Sequence, residues 1–328
     1  MVSVVVPIYN EEENIRAFHA AVVAVLEDTA ESWEIVYVND GSRDASLPML
    51  LDIQRNDPRV TVVEFSRNFG HQPALTAGLQ TAQGDAVILM DGDFQDPPHV
   101  LPALLDAWRS GAKVVIAERT SRAETGLRSV LFPMFYRVMG FISDFPIPLN
   151  AGIFGLLDRQ AVDTINRLQE NNRYLPGLRA WVGFPTSVVY YERAERAAGE
   201  PKQTFTRLFK YAMDAIFSFS YKPLRLGLAV GATLLAIALM FGVALISLSL
   251  ADTNFSGLRL VAAYTMLTVL FVAGVQLICI GLLGEYIGRI YDEVRRRPLY
   301  LIHEVYSAHS TAKAQRLEPM PYPAVRAS

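Results

Sequence analysis

Short apolar runs rich in β-branched residues alternate with segments of helical length along about the first 120 residues. The runs occupy residues 2–7, 34–39, 60–65, 86–90 and 113–118, and the helical segments occupy 11–29, 44–56, 71–83 and 97–109. Because the runs are apolar throughout and do not alternate with polar residues, we expect strands buried on both faces of a parallel sheet. The pattern predicts an α/β fold, a doubly wound, mostly parallel sheet whose ligand lies beyond the carboxyl ends of the strands.

Two long apolar segments follow this α/β pattern. Residues 226–250 and 260–284 each form a run of 25 residues without a charge. About 20 residues are enough to cross a hydrocarbon core, and buried helices of soluble proteins seldom reach this length without a polar face. The short connection at 251–259 predicts a hairpin of two transmembrane helices whose outer ends lie on one side of the bilayer.

Basic residues are distributed unevenly around the predicted hairpin. Eight of them flank its outer ends and one lies in the connection: Arg207, Lys210, Lys222, Arg225, Arg289, Arg295, Arg296 and Arg297 against Arg259. Positive charge is retained on the cytoplasmic side of membrane proteins. We therefore expect a two-span protein of the cytoplasmic membrane, with the α/β domain and the C-terminus in the cytoplasm.

The segment 204–221 has apolar residues at steps of three and four, with Arg207, Lys210 and Asp214 elsewhere on the helical wheel. This pattern predicts an amphipathic helix in the membrane interface, and a core helix of the α/β domain is the alternative. The expected organisation is a catalytic domain at 1–203, an interfacial helix at 204–223, two spans within 224–288, and a basic end with a disordered tail at 289–328.

Acidic side chains lie where two predicted strands end. Asp40 follows the second strand, and Asp91 and Asp93 follow the fourth. The chain contains neither GxGxxG nor GxxxxGK[ST], the usual backbone cradles for phosphate. Two carboxylates one residue apart can instead hold Mg²⁺ or Mn²⁺, which would bridge the diphosphate of a nucleotide ligand.

The motifs together resemble glycosyltransferase family 2, in its branch of polyprenyl-phosphate glycosyltransferases. The most specific match is Asp91-Gly92-Asp93-Phe94-Gln95-Asp96-Pro97-Pro98, which is similar to the D-x-D-x-Q-D-P-P signature of that branch. Further matches are Asn39-Asp40-Gly41-Ser42, Asn68-Phe69-Gly70 and Asn150-Ala151-Gly152, and the similarity covers nearly all of residues 1–300. The resemblance implies a GT-A-like nucleotide-sugar-binding domain.

The resemblance also implies roles for individual residues. Positions that hold the base and ribose of the donor are matched by Pro7, Tyr9, Glu11 and Asp40. Ligands of the metal and diphosphate are matched by Asp91, Asp93 and Gln95, and Asp93 is for this reason also expected to be catalytic. Cations around the acceptor phosphate are matched by Arg119, Arg128 and Arg196, with Lys202 as a fourth candidate.

Several of these assignments have alternatives. Asp158 matches a position near the reaction centre, but it can equally be a charge at the start of a helix over 158–170. The arginines can serve solubility and attraction to anionic lipid heads instead of phosphate binding. His71, at a predicted helix start, is interpreted as structural and not catalytic.

Two positions depart from the family pattern. Gly155 stands where the family usually has arginine after Ala-Gly-x-Phe, and Gly199-Glu200-Pro201-Lys202-Gln203 replaces G-E-S-K-Y. Both changes weaken the acceptor-site assignment. The first predicts a phosphate contact that is either relocated or diminished.

The function expected from this resemblance is inverting transfer of one hexose, glucose from UDP-glucose, onto a polyprenyl phosphate such as undecaprenyl phosphate. A GDP-mannose-dependent synthase or an amino-sugar transferase of the same branch is the alternative, and a membrane scaffold without activity is a further one. The expected partners are the nucleotide-sugar donor, the polyprenyl phosphate acceptor and the lipid bilayer, with no nucleic acid. Glycines in the spans permit close helix packing within a chain or in a homo-oligomer.

Overall fold

The structure, a computed structural model, describes residues 1–29, 32–120, 151–168, 170–171, 173–192, 222–251 and 258–308. These residues belong to two compact units. One is an α/β unit that includes the residues after Arg295, and the other contains two long apolar helices.

The α/β unit contains the predicted alternation of strands and helices. Its first half consists of β1 (Val2–Ile8), α1 (Ile15–Asp28), β2 (Trp33–Asn39), α2 (Ser46–Asn56), β3 (Val60–Phe65), α3 (His71–Thr81), β4 (Ala86–Leu89), a 3₁₀ turn (Pro98–Val100), α4 (Leu101–Arg109) and β5 (Val114–Arg119). The second half consists of β6 (Ala151–Asp158), α5 (Arg159–Arg167), α6 (Leu175–Trp181), β7 (Thr186–Tyr191) and β8 (Ile302–Tyr306). The five strands predicted in the first half are all present.

The eight strands form one sheet in the order β7-β5-β6-β4-β1-β2-β3-β8. Pairs β1–β2, β1–β4, β2–β3 and β5–β7 are parallel, whereas β6 is antiparallel to β4 and β5, and β8 is antiparallel to β3. The predicted fold class, a doubly wound and mostly parallel sheet, is confirmed. The order also places the carboxyl ends of β1, β2, β3, β4, β5 and β7 at one edge of the sheet.

Helices cover both faces of this sheet. The apolar side of α1, formed by Ile15, Phe18, Val22 and Leu26, is buried at helical spacing in a core with α4. On the other face α3 approaches β1 so closely at Gly78 that a Cβ there would stand 2.1 Å from Val5. Burial on both faces explains why the strands are apolar throughout.

The C-terminal strand β8 returns to the sheet after the long helices. It pairs with β3, and the ring of Tyr300 just before it stacks on Phe65 at 4.9 Å between ring centroids. The hydroxyl of Tyr306 donates to Glu64. Residues 302–306 are therefore part of the sheet, although the sequence indicated only a basic end and tail in this region.

The second unit contains α7 (Lys222–Ala251) and α8 (Leu258–Arg295). Both helices are long and apolar enough to cross a membrane, with mean hydropathies of 2.2 and 2.5 over their most apolar parts. They include the two predicted spans, and α8 continues beyond the expected end of its span. The two helices pack side by side at Gly227, where a Cβ would make an ordinary van der Waals contact with the sulfur of Cys279 at 3.5 Å.

Candidate active site

A cleft of about 280 Å³ opens at the carboxyl edge of the sheet. The loops after β1, β2, β3 and β4 supply most of its lining, and the start of α3 supplies the rest: Pro7, Ile8, Tyr9, Glu11, Asp40, Asn68, Gly70, His71, Ala74, Asp91, Gly92 and Asp93. The structure thus brings together all four predicted donor-binding residues and both predicted metal-binding carboxylates. These residues lie close together because the parallel strands that precede them all end at one edge of the sheet.

The loops after β1 and β2 hold each other through side chains. The amide of Asn10 donates to the hydroxyl of Ser42, and the side-chain oxygen of Asn10 accepts from the amide of Arg43. Asn10 has a φ of 53°, a left-handed conformation that asparagine tolerates better than most residues. The amide of Glu11 donates to Ser46, so this interlock fixes the backbone beside Tyr9 and Glu11.

Asp40 is a buried carboxylate that organises the loop after β3. Its Oδ1 accepts from the amide of Phe69 at 2.7 Å and its Oδ2 from the amide of Gly70 at 2.9 Å. Burial raises the pKa of Asp40, and these two amides oppose the rise by stabilising the charged form. Although Asp40 lines the cleft as predicted, both of its oxygens already serve the neighbouring loop.

His71 lies against the first predicted metal ligand. His71 is the first residue of α3, and its Nε2 is 2.8 Å from Oδ1 of Asp91. Burial alone would lower the pKa of His71, but the hydrogen bond and charge of Asp91 outweigh it and raise the pKa. The sequence suggested a structural role for His71, and the structure places its ring in the cleft beside Asp91.

Asp93 and Gln95 form a tight turn whose middle residue, Phe94, has a φ of 61°. The backbone amide of Gln95 donates to Oδ1 of Asp93 at 3.0 Å, and its side-chain amide donates to Oδ2 at 2.6 Å. The three predicted metal ligands therefore lie on one short turn, and two of them, Asp93 and Gln95, contact each other directly.

The donor atoms of this turn fit a hard divalent ion. Among the residues that the structure describes, no group of three or more His, Cys, Asp or Glu side chains is arranged to hold a metal. Mg²⁺ commonly uses only one or two carboxylates together with the phosphates of its substrate. Asp91 and Asp93 supply two such carboxylates at the cleft, and the side-chain amide of Gln95 would have to turn away from Asp93 to free both of its oxygens.

A second hydrogen-bonded group lies behind this turn. Arg119, at the end of β5, donates from Nε to the hydroxyl of Tyr191 at 3.0 Å, and that hydroxyl donates to Oδ1 of Asp96 at 3.1 Å. Oδ2 of Asp96 accepts from the amide of Asp91 at 3.2 Å. Burial and the nearby charge of Asp91 raise the pKa of Asp96 to about 6. Of the predicted acceptor-side cations, Arg119 is thus connected to the turn that carries the predicted metal ligands.

The structure places Asp158, which was predicted to be catalytic, away from the cleft. It ends β6 opposite Ala86, where β4 begins, whereas Asp91 follows the other end of β4. Its carboxylate accepts from Trp108 at 2.9 Å, from Lys113 at 3.0 Å and from the amide of Gln160, which makes it the N-cap of α5. The alternative interpretation, a charge at the start of a helix, is the one that these contacts support.

Gly155 is required by the pairing of β6 with β5. A Cβ at this position would stand 2.3 Å from the carbonyl oxygen of Val115, so no side chain fits without a backbone shift. The guanidinium of Arg179, on α6, lies 3.2 Å from the same point and donates to the carbonyl of Gly152 at 3.1 Å. Arg179 is buried, and its burial lowers its pKa to about 10. An arginine thus lies beside position 155, and it comes from α6.

The remaining predicted acceptor-side residues lie outside the described residues. These are Arg128, Arg196 and Lys202, and the predicted interfacial helix at 204–221 lies outside them too. Sequence reasoning assigned no role to Asp96 or Tyr191. The position of Asp96 inside the quoted motif could have indicated it, whereas nothing local distinguishes Tyr191 from the exposed Tyr190 beside it.

Comparison with known proteins shows which family this chain is similar to and that the similarity includes the cleft. The family model described as "Glycosyl transferase family 2" matches residues 3–165, which contain every strand and loop that lines the cleft. Curated relatives match over almost the whole length. The bactoprenol glucosyl transferase derived from prophage SfII of Shigella flexneri is 43% identical over 304 residues, 92% of this chain and 97% of that protein.

Two further relatives show the same extent of similarity. An uncharacterised glycosyltransferase of Bacillus subtilis, YkcC, is 40% identical over 93% of this chain and 94% of its own length. The prophage bactoprenol glucosyl transferase homolog of Escherichia coli K12 is 41% identical over 93% of this chain and 99% of its own length. The similarity therefore extends through α7 and α8.

Proposed function

Because the chain belongs to glycosyltransferase family 2, we propose that it transfers glucose from UDP-glucose onto the phosphate of a polyprenyl phosphate lipid, with inversion at the anomeric carbon. One observation supports this most directly. The carboxylates of Asp91 and Asp93 line the same cleft as Tyr9, Glu11 and Asp40. Several relatives are named bactoprenol glucosyl transferases, and the similarity to them covers 92% of this chain.

The chemistry requires that two anions, the lipid phosphate and the donor diphosphate, meet at one point. A phosphate monoester has a second pKa of about 6, so the acceptor is already an anionic nucleophile at neutral pH. A strong general base is therefore unnecessary, which agrees with the position of Asp158 far from the cleft. The residues mainly have to neutralise charge and fix the line of attack.

Asp91, Asp93 and Gln95 would hold Mg²⁺ or Mn²⁺ in this proposal. The bound ion would act as a Lewis acid toward the leaving nucleoside diphosphate. Tyr9 and Glu11 would contact the base and ribose, since the loop that carries them is fixed by the interlock with Ser42 and Ser46. On the acceptor side we assign the phosphate to Arg119, with Arg128, Arg196 and Lys202 as further candidates.

The helices α7 and α8 would anchor the enzyme where such a lipid exposes its phosphate. The basic residues at their outer ends, among them Arg225 and Arg295, support a cytoplasmic position of the α/β domain.

The test is a panel of labelled donors offered to the full-length protein with undecaprenyl phosphate in detergent. UDP-glucose should be transferred, and UDP-N-acetylglucosamine and GDP-mannose should be poor donors. A chelator should lower the rate at least about 100-fold, and added Mn²⁺ or Mg²⁺ should restore it. Preferred use of GDP-mannose would replace the proposed donor, and full activity in the chelator would refute the metal role.

Asp93→Asn provides the residue-level test. It should lower turnover by about three orders of magnitude or more, because it removes a charge that the reaction needs. The unfolding temperature should be nearly unchanged, because asparagine has the same shape and size as aspartate. Asp106→Asn, an equal change on the exposed side of α4, is the matched control and should have full activity. Normal turnover of Asp93→Asn would refute the role of Asp93 and favour another mechanism, whereas a wild-type protein that transfers no sugar would favour the scaffold alternative.

A further inference from the structure

Tyr191 lies at the carboxyl end of β7, directly across from Arg119 on the parallel strand β5. Its neighbour Tyr190 is 66% exposed, whereas Tyr191 is 5% exposed. Paired residues on neighbouring strands extend from the same face of a sheet, so Tyr191 lies on the face of Arg119 and Tyr190 lies on the opposite face. A buried tyrosine usually has a partner for its hydroxyl, and this one has two.

The ring of Tyr191 is held in place by Phe154, whose ring meets it edge-on at 5.4 Å and 88°. The hydroxyl therefore has a fixed position, where it accepts from Nε of Arg119 and donates to Oδ1 of Asp96. Arg119 reaches Asp96 directly only at 3.8 Å, a distance too long for a hydrogen bond. The tyrosine hydroxyl is thus the short link between the two charged groups.

Asp96 extends this link to the turn that carries the predicted metal ligands. Its second oxygen accepts from the amide of Asp91, and the residue is 2% exposed. A buried carboxylate with both oxygens engaged is costly to displace, so the start of the Asp91–Gln95 turn is held by it. The path from Arg119 to Asp91 consists of hydrogen bonds between 3.0 and 3.2 Å.

We infer that Tyr191 is a positioning residue that couples the acceptor-side cation Arg119 to the metal-binding turn at Asp91, so that the two anionic substrates are held in register. This inference rests on the proposed function for the identity of the substrates. Nε of Arg119 is committed to Tyr191, and one terminal nitrogen lies 3.8 Å from Asp96. Among the described residues neither terminal nitrogen donates a hydrogen bond, so both can donate to the lipid phosphate. Arginine suits this use because its fork has five donors in a fixed plane.

The test compares Tyr191→Phe with Tyr37→Phe in the full-length protein. Both variants keep the ring and remove one buried hydroxyl, and the hydroxyl of Tyr37 contacts only His19 among the side-chain partners described, at 3.1 Å. Tyr191→Phe should lower kcat/KM for undecaprenyl phosphate about 10- to 100-fold, as expected for the loss of a hydrogen bond to charged groups. Tyr37→Phe should lower it less than about threefold, with a similar loss of thermal stability.

A double-mutant cycle with Arg119→Ala separates positioning from general stability. If Tyr191 acts through Arg119, Tyr191→Phe should cost less than about threefold in kcat/KM when Arg119 is already absent. Equal losses in both backgrounds, or a Tyr191→Phe enzyme as active as Tyr37→Phe, would overturn the inference.

A binding measurement keeps the result independent of the substrate assignment. Mn²⁺ alone, titrated by its electron paramagnetic resonance signal, should bind Tyr191→Phe at least about threefold more weakly than Tyr37→Phe, because the Asp91 turn loses support. A wild-type protein that transfers no sugar would refute the proposed function, and the Mn²⁺ titration would still decide whether Tyr191 supports the turn. Equal Mn²⁺ affinities in the two variants would reject that support.

Discussion

Replacement of Gly41 by alanine should distort the cleft. Gly41 has a φ of 65°, and a Cβ there would stand 2.4 Å from the carbonyl carbon of Arg67 and 2.5 Å from the amide nitrogen of Asn68. A left-handed conformation costs an alanine about 1–2 kcal/mol. The contact is with backbone, which cannot rotate away, and such overpacking costs about 1–3 kcal/mol more. The expected destabilisation is about 2–5 kcal/mol.

Gly111→Ala separates the two contributions. Gly111 also has a positive φ, 105°, but a Cβ there meets nothing within 4 Å. This variant should therefore lose only the conformational part, about 1–2 kcal/mol. Gly41→Ala should in addition bind UDP-glucose at least about tenfold more weakly, because the loop it displaces carries Asn68 and Gly70 of the cleft.

Scanning fluorimetry of the detergent-purified variants and calorimetric titration with UDP-glucose measure the two effects. About 1 kcal/mol corresponds to about 2–4 °C in the unfolding midpoint for a domain of this size. Equal midpoints and equal donor affinities for the two alanine variants would show that the loop after β3 yields easily, and the reasoning from the close backbone contact would be refuted.

Two further predictions follow from the site and the helices. Asp158→Asn should retain turnover within about twofold and lose about 1–2 kcal/mol of stability. Burial would raise the pKa of Asp158, but the hydrogen bonds from Trp108 and Lys113 outweigh it and lower the pKa. The difference in stability between Asp158→Asn and wild type should therefore be full above about pH 4 and vanish as the pH falls through the lowered pKa. Acid unfolding curves of the two proteins measure this difference. For the topology, a membrane-impermeant thiol reagent should label Asn254→Cys in intact cells and leave Ser110→Cys unlabelled, with Cys279 replaced in both; the opposite labelling would reverse the proposed orientation.

Local patterns in the sequence were sufficient for a large part of the candidate site. Asp40, Asp91 and Asp93 could be grouped because each follows a buried strand, and a parallel sheet gathers such positions at one edge. The role of Asp40 in holding the amides of Phe69 and Gly70 could not be predicted, since it depends on how one loop folds against another.

The sequence by itself determined the first five strands with the helices between them, the two long apolar helices, and the grouping of Asp40, Asp91 and Asp93 at one edge of the sheet. Periodicity and length encode these features locally. Only the tertiary structure decided that β6 enters the sheet antiparallel between β4 and β5, which places Asp158 at the edge away from the cleft. It alone decided that β8 returns to pair with β3 and that Tyr191 meets Asp96. Such pairings join residues far apart in the chain, and their partners are selected by the geometry of the assembled sheet, to which no local pattern refers.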